Sequence, residues 1–313
     1  MKNIKERGMS IKIKFASNWD NSTSLAQRVE RNWGEAPDGF EVVTEGDFDY
    51  LVSFNFSNEM FSIPKEKNIV FTMEPNWSGG IKDEVIAHSH KVFSSVDRFE
   101  GKPNVEMIPS LMFMEDTGGS TLANIKQHGE SISKTMNDYL ADEVFEKTKK
   151  CSMILAGHGA IQGAAKPERS LYLKREQLLF KILESDLDID IYGRNWNISD
   201  PRYKGFAEYK EDALKQYDFS ISIENSRENY YLSEKMTDCF INNCVPIYDG
   251  CTMAEKFYDP LSFERIDIES ENVIEDIREI LSEDGKNYQP YILKAKERYF
   301  LTYNIYQFLK TCV

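Results

Sequence analysis

Basic residues, histidines and cysteines are scarce in this chain, and each shortage closes off a class of function. The 38 Lys and Arg stand against 52 Asp and Glu, giving a net charge of −14. No basic stripe is therefore left for a nucleic-acid backbone or an anionic membrane, and any bound anion must be met by a few placed cations. Four histidines are present. His88 and His90 are two residues apart, which on a helix turns them away from each other, and His128 and His158 add no constellation. The five cysteines (Cys151, Cys239, Cys244, Cys251, Cys312) include no CxxC pair and no histidine at ligand spacing. A reduced, cytoplasmic protein without structural zinc is the expectation. Long apolar runs are missing as well. None approaches the roughly 18 residues that suggest a membrane-spanning helix, and the first residues, MKNIKERGMSIKIKF, lack a signal-peptide core.

What is present is ordinary for a globular α/β protein. A length of 313 residues with 41% apolar content suggests two domains, each able to bury a core. In the first half, strand patterns at Ile11–Phe15, Phe40–Val43, Phe48–Phe54, Ile69–Met73 and Lys91–Val96 interleave with helical patterns through Leu25 and Val29 and over Ser78–His90. That alternation predicts a mostly parallel sheet. The strand ending at Met73 delivers Glu74-Pro75-Asn76-Trp77 at its C-terminal end, where open α/β sheets hold ligands. A glutamate there either ends a strand before a proline turn or does chemistry. From about Glu115 to Lys150 the composition turns polar around a DTGGS turn at 116–120, with helical patterning near Tyr139, Leu140, Val144 and Phe145.

The second half restarts with a strand, CSMILAG at 151–157, and a glycine-rich loop. Gly157, Gly159 and Gly163 are spaced G-x-G-x-x-x-G, which is not the dinucleotide fingerprint. A helix over Ser170–Glu184 follows, in which Leu171, Arg175, Leu178 and Ile182 share one face. An arginine on an apolar stripe needs a partner, because an isolated buried charge costs several kcal/mol, and on periodicity alone it snorkels to the rim or pairs with a structural carboxylate. Asp188 and Asp190 lie inside a strand-like run ending in YGR, so their DxD spacing does not read as a metal site. Short helices are expected at Tyr209–Tyr217 and Thr252–Phe257, an amphipathic helix over Asn272–Leu281 and a last helix over 288–310.

The most informative stretch is 218–250, DFSISIENSRENYYLSEKMTDCFINNCVPIYDG. Phe219, Ile221 and Ile223 alternate as a strand, Ser233 suits an N-cap, Met236, Cys239, Phe240 and Ile241 define a helical face, and Val245–Tyr248 form a second strand. This is a βαβ unit. Glu234 suits the start of that helix, whereas Lys235 does not. Either Lys235 points into solvent, or an anion sits between it and the free N–H groups of the first turn.

Glu224-Asn225-Ser226, then Tyr231-Leu232-Ser233-Glu234-Lys235, a helix and Val245-Pro246-Ile247-Tyr248-Asp249-Gly250 resemble the donor-binding signature of the α-1,3-fucosyltransferases of glycosyltransferase family 10. Ser233 stands where that family has Thr, Asp249 where it often has Trp, and the loop 157–169 differs from its Ser-Asn-Pro segment. The resemblance implies a GT-B-type fold with two Rossmann-like α/β domains facing across a cleft. Residues 1–115 would be the acceptor-binding domain, 116–150 an interdomain helical or linker segment, 151–290 the donor-binding domain and 291–313 a C-terminal helix.

It further implies inverting transfer of L-fucose from GDP-β-L-fucose to a glycan hydroxyl, α-1,3 in type. Glu74 would be the catalytic base, and Arg175 and Lys235 would hold the pyrophosphate. Tyr231 and Glu234 would meet the donor's sugar or ribose, with Glu224, Asn225 and Ser233 shaping the donor pocket. The expected partners are a GDP-sugar and an oligosaccharide, with no nucleic acid and no membrane span. No cofactor is required, a divalent metal being at most stimulatory. A transferase for another GDP-linked sugar and a non-catalytic glycan- or nucleotide-binding protein remain the alternatives.

Overall fold

The computed structural model describes residues 10–76, 81–110, 113, 135–142, 144, 146–157 and 170–313. It divides into two compact units, one built from residues up to Phe113 together with Phe300–Val313, the other running chiefly from Asp138 to Tyr299. The DTGGS turn, His128, His158, Phe145, Trp77 and the glycine-rich loop beyond Gly157 lie outside the described residues.

The first unit holds strands β1 (Ile11–Ala16), β2 (Phe40–Val42), β3 (Tyr50–Phe54), β4 (Asn68–Phe71), β5 (Lys91–Ser94) and β6 (Val105–Met107). They pair in the order β2-β1-β3-β4-β5-β6, every ladder parallel. Strands β3 and β4 are apolar and buried almost throughout, as expected where a parallel sheet is covered on both faces. In register, Phe54 pairs with Phe71 and Phe71 with Phe93. With Phe15 they form a ladder of rings at 5.9, 6.4 and 4.8 Å between centroids. Phe308, from the far end of the chain, packs on Phe71 at 6.2 Å and on Phe93 at 5.2 Å. The helix Ser22–Trp33 starts where Asn21 accepts the Ser24 N–H at 3.0 Å and ends where Gly34 takes a positive φ of 82°.

The second unit holds β7 (Lys149–Ile154), β8 (Ile189–Tyr192), β9 (Tyr203–Gly205), β10 (Tyr217–Ile223), β11 (Val245–Asp249) and β12 (Glu264–Arg265). Their order, β12-β11-β10-β7-β8-β9, is again wholly parallel. Counted from β7 and read from the other edge, it is the Rossmann order 3-2-1-4-5-6, whose direction reverses between β7 and β10. The helix Tyr172–Glu184 connects β7 to β8, and the helix Glu234–Ile241 connects β10 to β11. Arg202 closes the C-terminal end of the former, donating to the carbonyls of Ile182, Leu183, Ser185 and Leu187 while Asp200 holds its guanidinium.

Three expected elements differ. Within Ser78–His90 only Asp83–Ala87 is described as helix. The helix expected over Tyr209–Tyr217 is a single 3₁₀ turn, Lys210–Ala213, because β10 already begins at Tyr217. The stretch expected as one helix over 288–310 is split into Gln289–Glu297, a π turn at Arg298–Thr302, and Ile305–Leu309. The break falls at Asn304, whose side chain accepts the Tyr306 N–H and starts a new helix, and the residues beyond Tyr299 join the first unit.

Candidate functional site

The reversal between β7 and β10 leaves a crevice at the C-terminal ends of these two strands, since the crossovers on either side depart to opposite faces. A cavity of about 240 Å³ occupies it, walled by Ile154 at the end of β7 and Leu155–Ala156 beyond it, by Ser220–Ile223 of β10, and by Asn225, Arg175, Lys210 and Lys235. Three cations (Arg175, Lys210, Lys235) and two carboxylates (Glu234, Asp238) line it, a local excess of positive charge in a chain of net charge −14.

Arg175 is 6% exposed, its guanidinium stacked 4.5 Å from the Tyr172 ring. Its Nη1 donates to the Ile223 carbonyl at 3.2 Å and to Asn225 Oδ1 at 2.9 Å, both uncharged acceptors. Nε is buried without a partner among the described residues. Among the described residues no carboxylate lies within hydrogen-bonding reach of this guanidinium, and burial pushes its pKa down. A buried cation so left is a site short of an anion.

The helix Glu234–Ile241 presents its N-terminus to the same crevice. Ser233 caps it by accepting from the Lys235 N–H. Ser233 is itself held by the buried Glu224, which accepts from the Ser233 N–H at 2.7 Å and from its hydroxyl at 2.5 Å. Tyr248 Oη donates to the same carboxylate at 3.2 Å. Lys235 does not point into solvent: its Nζ is 3.0 Å from Glu234 Oε1 and 3.6 Å from Glu224 Oε2. Burial pushes the Glu224 carboxyl up, against the pull of Lys235. For Glu234, burial acts upward too, but Lys235 and Lys210 outweigh it and hold this carboxyl down at about 2. For Lys235, burial acts downward, yet Glu234 and Glu224 outweigh it and raise the ammonium.

The comparisons with known proteins bear on this half of the chain. Residues 164–310 match the model described as Glycosyltransferase family 10 (fucosyltransferase) C-term. Residues 164–310 are similar to the C-terminal part of glycosyltransferase family 10.

This matched segment contains the whole of the cavity's charged lining. Among curated proteins, the chain is 35% identical over 54 residues to the α-(1,3)-fucosyltransferase FucT of Helicobacter pylori, covering 17% of this chain and 11% of that one. A fucosyltransferase-like protein of Arabidopsis thaliana is 31% identical over 83 residues, 26% of this chain and 15% of the relative. The chain thus aligns with only a small part of the curated relatives it matches. A crystal structure of an α1,3-fucosyltransferase superposes with a TM-score of 0.56 at 14% identity, over 97% of this chain and 90% of that one. A β-glucosyltransferase that modifies DNA gives 0.53 at 12%, over 96% and 99%. These likenesses establish the fold: two parallel-sheet α/β units of the GT-B class.

Within residues 164–310, the residues singled out from the sequence fall into two sets. Arg175, Asn225, Glu234 and Lys235 line the cavity. Glu224, Tyr231 and Ser233 are buried behind its wall, at 0%, 2% and 1% exposure, where Glu224 and Ser233 fix the helix start. Asp249, which stands where the family often has Trp, is gripped by Arg227 through Nε at 3.0 Å and Nη2 at 2.5 Å. Gly250 is required by close approach: a Cβ there would fall 2.3 Å from Glu224 Cγ, and its φ is 155°. Asp190 accepts from Tyr217 Oη at 2.6 Å and pairs with Lys149 and Lys204 at 2.8 and 3.1 Å, a structural network. Sequence reasoning missed Lys210, Asp238 and Cys239 as lining residues. Asp238 and Cys239 could have been found, because they fall one turn beyond Glu234 and Lys235 on the same helix.

Glu74 belongs to the first unit, just past the end of β4. The backbone before it is pinned: Met73 N–H donates to Asn55 Oδ1 at 2.7 Å, and Ser110 Oγ donates to the Met73 carbonyl at 3.2 Å. Asn55 adopts a positive φ of 60° to do this. Glu74 is partly buried at the C-terminal edge of its sheet.

Proposed function

We propose that the protein is an inverting glycosyltransferase that moves L-fucose from GDP-β-L-fucose to a hydroxyl of a glycan acceptor, in α-1,3 linkage. One observation carries the reading: a buried guanidinium that has, among the described residues, no carboxylate partner and an orphaned Nε, in a net-positive cavity at the switch point of a segment similar to family 10. An α1,3-fucosyltransferase solved with GDP-fucose has the same fold, at a TM-score of 0.51.

In the proposed reaction the acceptor oxygen attacks the anomeric carbon of fucose from the face opposite the nucleotide. The bond from that carbon to the β-phosphate oxygen breaks, its electron pair leaves with GDP, and the acceptor proton passes to Glu74. The leaving diphosphate gains charge as the bond breaks, and stabilisation must grow with it. Arg175 offers a planar fork, Lys235 an ammonium, and the helix opened by Ser233 its free N–H groups. Glu234, held ionised, accepts from donor hydroxyls, and Asn225 and Glu224 keep the wall in place, with Tyr231 packed behind. These groups supply the charge stabilisation that a divalent metal would otherwise give, so the reaction needs none. Five free thiols suit a cytoplasmic setting.

The cavity chemistry reads a diphosphate before it reads a sugar, so a transferase for another GDP-linked sugar is the second reading. A thermal-shift panel of nucleotide sugars separates the two, since a ligand at about 100 times its Kd stabilises by about 2.7 kcal/mol. GDP release and fucose transfer to an N-acetyllactosamine-type acceptor then test catalysis. Binding without turnover would leave a non-catalytic receptor, and no shift with any GDP-sugar would overturn the donor assignment.

A further inference from the structure

Glu234 and Asp238 are four residues apart on one helix, so their carboxylates point along the same face. Both are buried, with side chains 9% and 2% exposed. Two buried like charges one turn apart repel, and without a cation between them one must take up a proton. The cation is present. Lys210, on the 3₁₀ turn Lys210–Ala213, is itself only 14% exposed, and its Nζ pairs directly with Asp238 and lies 3.9 Å from Glu234 Oε1. It reaches the helix from the segment leading into β10, and all three side chains line the cavity.

We propose that Lys210 is a positioning residue of the donor cavity: by bridging Glu234 and Asp238 it keeps both ionised, so that Glu234 is a permanent acceptor for donor hydroxyls. The functional half of this statement rests on the donor reading above; the charge clamp itself does not. The other groups facing the clamp cannot replace Lys210. Lys235 reaches Glu234 and Glu224 but not Asp238, and Arg175 hydrogen-bonds through Nη1 to Ile223 and Asn225 and to neither carboxylate of the pair. On the turn itself, Glu211 pairs with Lys215 at 2.9 Å, and the Asp212 carboxyl, pushed up by burial, adds no positive charge. Removing Lys210 therefore raises the folded-state pKa of one carboxyl of the pair. The folded state then holds a proton that the unfolded chain has released. Stability is complete below the unfolded carboxyl pKa and is lost as pH rises toward the raised value.

The test compares wild type with Lys210→Met, Lys210→Arg and the double variant Lys210→Met/Asp238→Asn. Thermal unfolding without ligand and GDP-fucose affinity are both measured across the neutral range. GDP-fucose carries a diphosphate diester and does not itself titrate there. Lys210→Met should lose stability relative to wild type as pH rises, and should bind GDP-fucose about tenfold more weakly for a full unit of pH below the new pKa, where a protonated carboxyl no longer accepts from donor hydroxyls. Adding Asp238→Asn should remove both slopes, and Lys210→Arg should stay flat like the wild type. A Lys210→Met protein with wild-type pH profiles would overturn the clamp. A double variant as weak as Lys210→Met at every pH would overturn it too, making Lys210 a direct donor contact instead. If wild type itself failed to bind GDP-fucose, the donor reading would fall while the ligand-free profiles still decided the role of Lys210.

Discussion

Arg175→Met separates a ligand-binding arginine from a structural one. Methionine keeps an unbranched apolar stem beside Tyr172 and deletes the charge. In the free protein, two opposing effects follow. The Ile223 carbonyl and Asn225 Oδ1 lose donors now 3.2 and 2.9 Å away, a cost of about 1–3 kcal/mol for each group left buried and unsatisfied. Against this, the fold no longer buries a guanidinium with an unpartnered Nε, and the desolvation so relieved is several kcal/mol per ion. The terms nearly cancel, so the melting temperature should move little in either direction. Ligand affinity has no such compensation. Losing charge-assisted hydrogen bonds to a diphosphate removes about 1.5–3 kcal/mol, a weakening of about 10- to 150-fold in Kd. Calorimetric titration with GDP, paired with thermal unfolding of the same preparations, reads both quantities. A variant that melts far below wild type yet binds GDP as tightly would make Arg175 a packing residue and remove the main support for the donor cavity.

Glu74→Gln should leave donor affinity intact and lower turnover by about 10²- to 10⁴-fold, read as fucose transfer with GDP-fucose binding measured alongside; near-wild-type turnover would send the search for the base elsewhere in the first unit. GDP should bind equally well in EDTA, because the cavity's cations rather than a metal meet the phosphates; calorimetry that shows binding only with added magnesium would refute this. The Glu234 carboxyl, held at about 2 rather than its ordinary 4.5, contributes stability that is fully present above the ordinary value and is lost as pH falls toward the depressed one. Acid unfolding of Glu234→Gln should accordingly lack that part of the wild-type decline, and two superimposable acid-stability curves would contradict the pairing with Lys235 and Lys210.

The second unit was legible because its signals are local. Ser233 caps where the sequence suggests, and the strand–helix–strand unit of 218–250 follows directly from alternation, cap and period. Arg175 on an apolar stripe announced a buried charge, and the structure buries it. What the sequence hid depends on contacts made across the fold. Lys210 stands in no motif, and its place in the cavity wall exists only because β10 carries the preceding turn against the helix two elements on. Likewise β6, β9 and β12, of three, three and two residues, are too short to show a period and exist by pairing with a longer neighbour. Glu224 is expected to shape the donor pocket, but its close packing against Gly250 is a relation that no spacing rule reports.

The return of the chain's last described residues to the first unit affects how that unit comes into being. Asn304 donates to the Trp33 carbonyl across 271 residues of sequence, and Phe308 closes over the phenylalanine ladder. During synthesis, which runs from the N-terminus at about 5–20 residues per second, the first sheet is made early but its aromatic face stays uncovered until the intervening unit has been produced. The second unit, whose strands and helices all precede this tail, has them in hand sooner. The order of completion is thus the reverse of the order of translation, and the ladder of phenylalanines is the surface that waits.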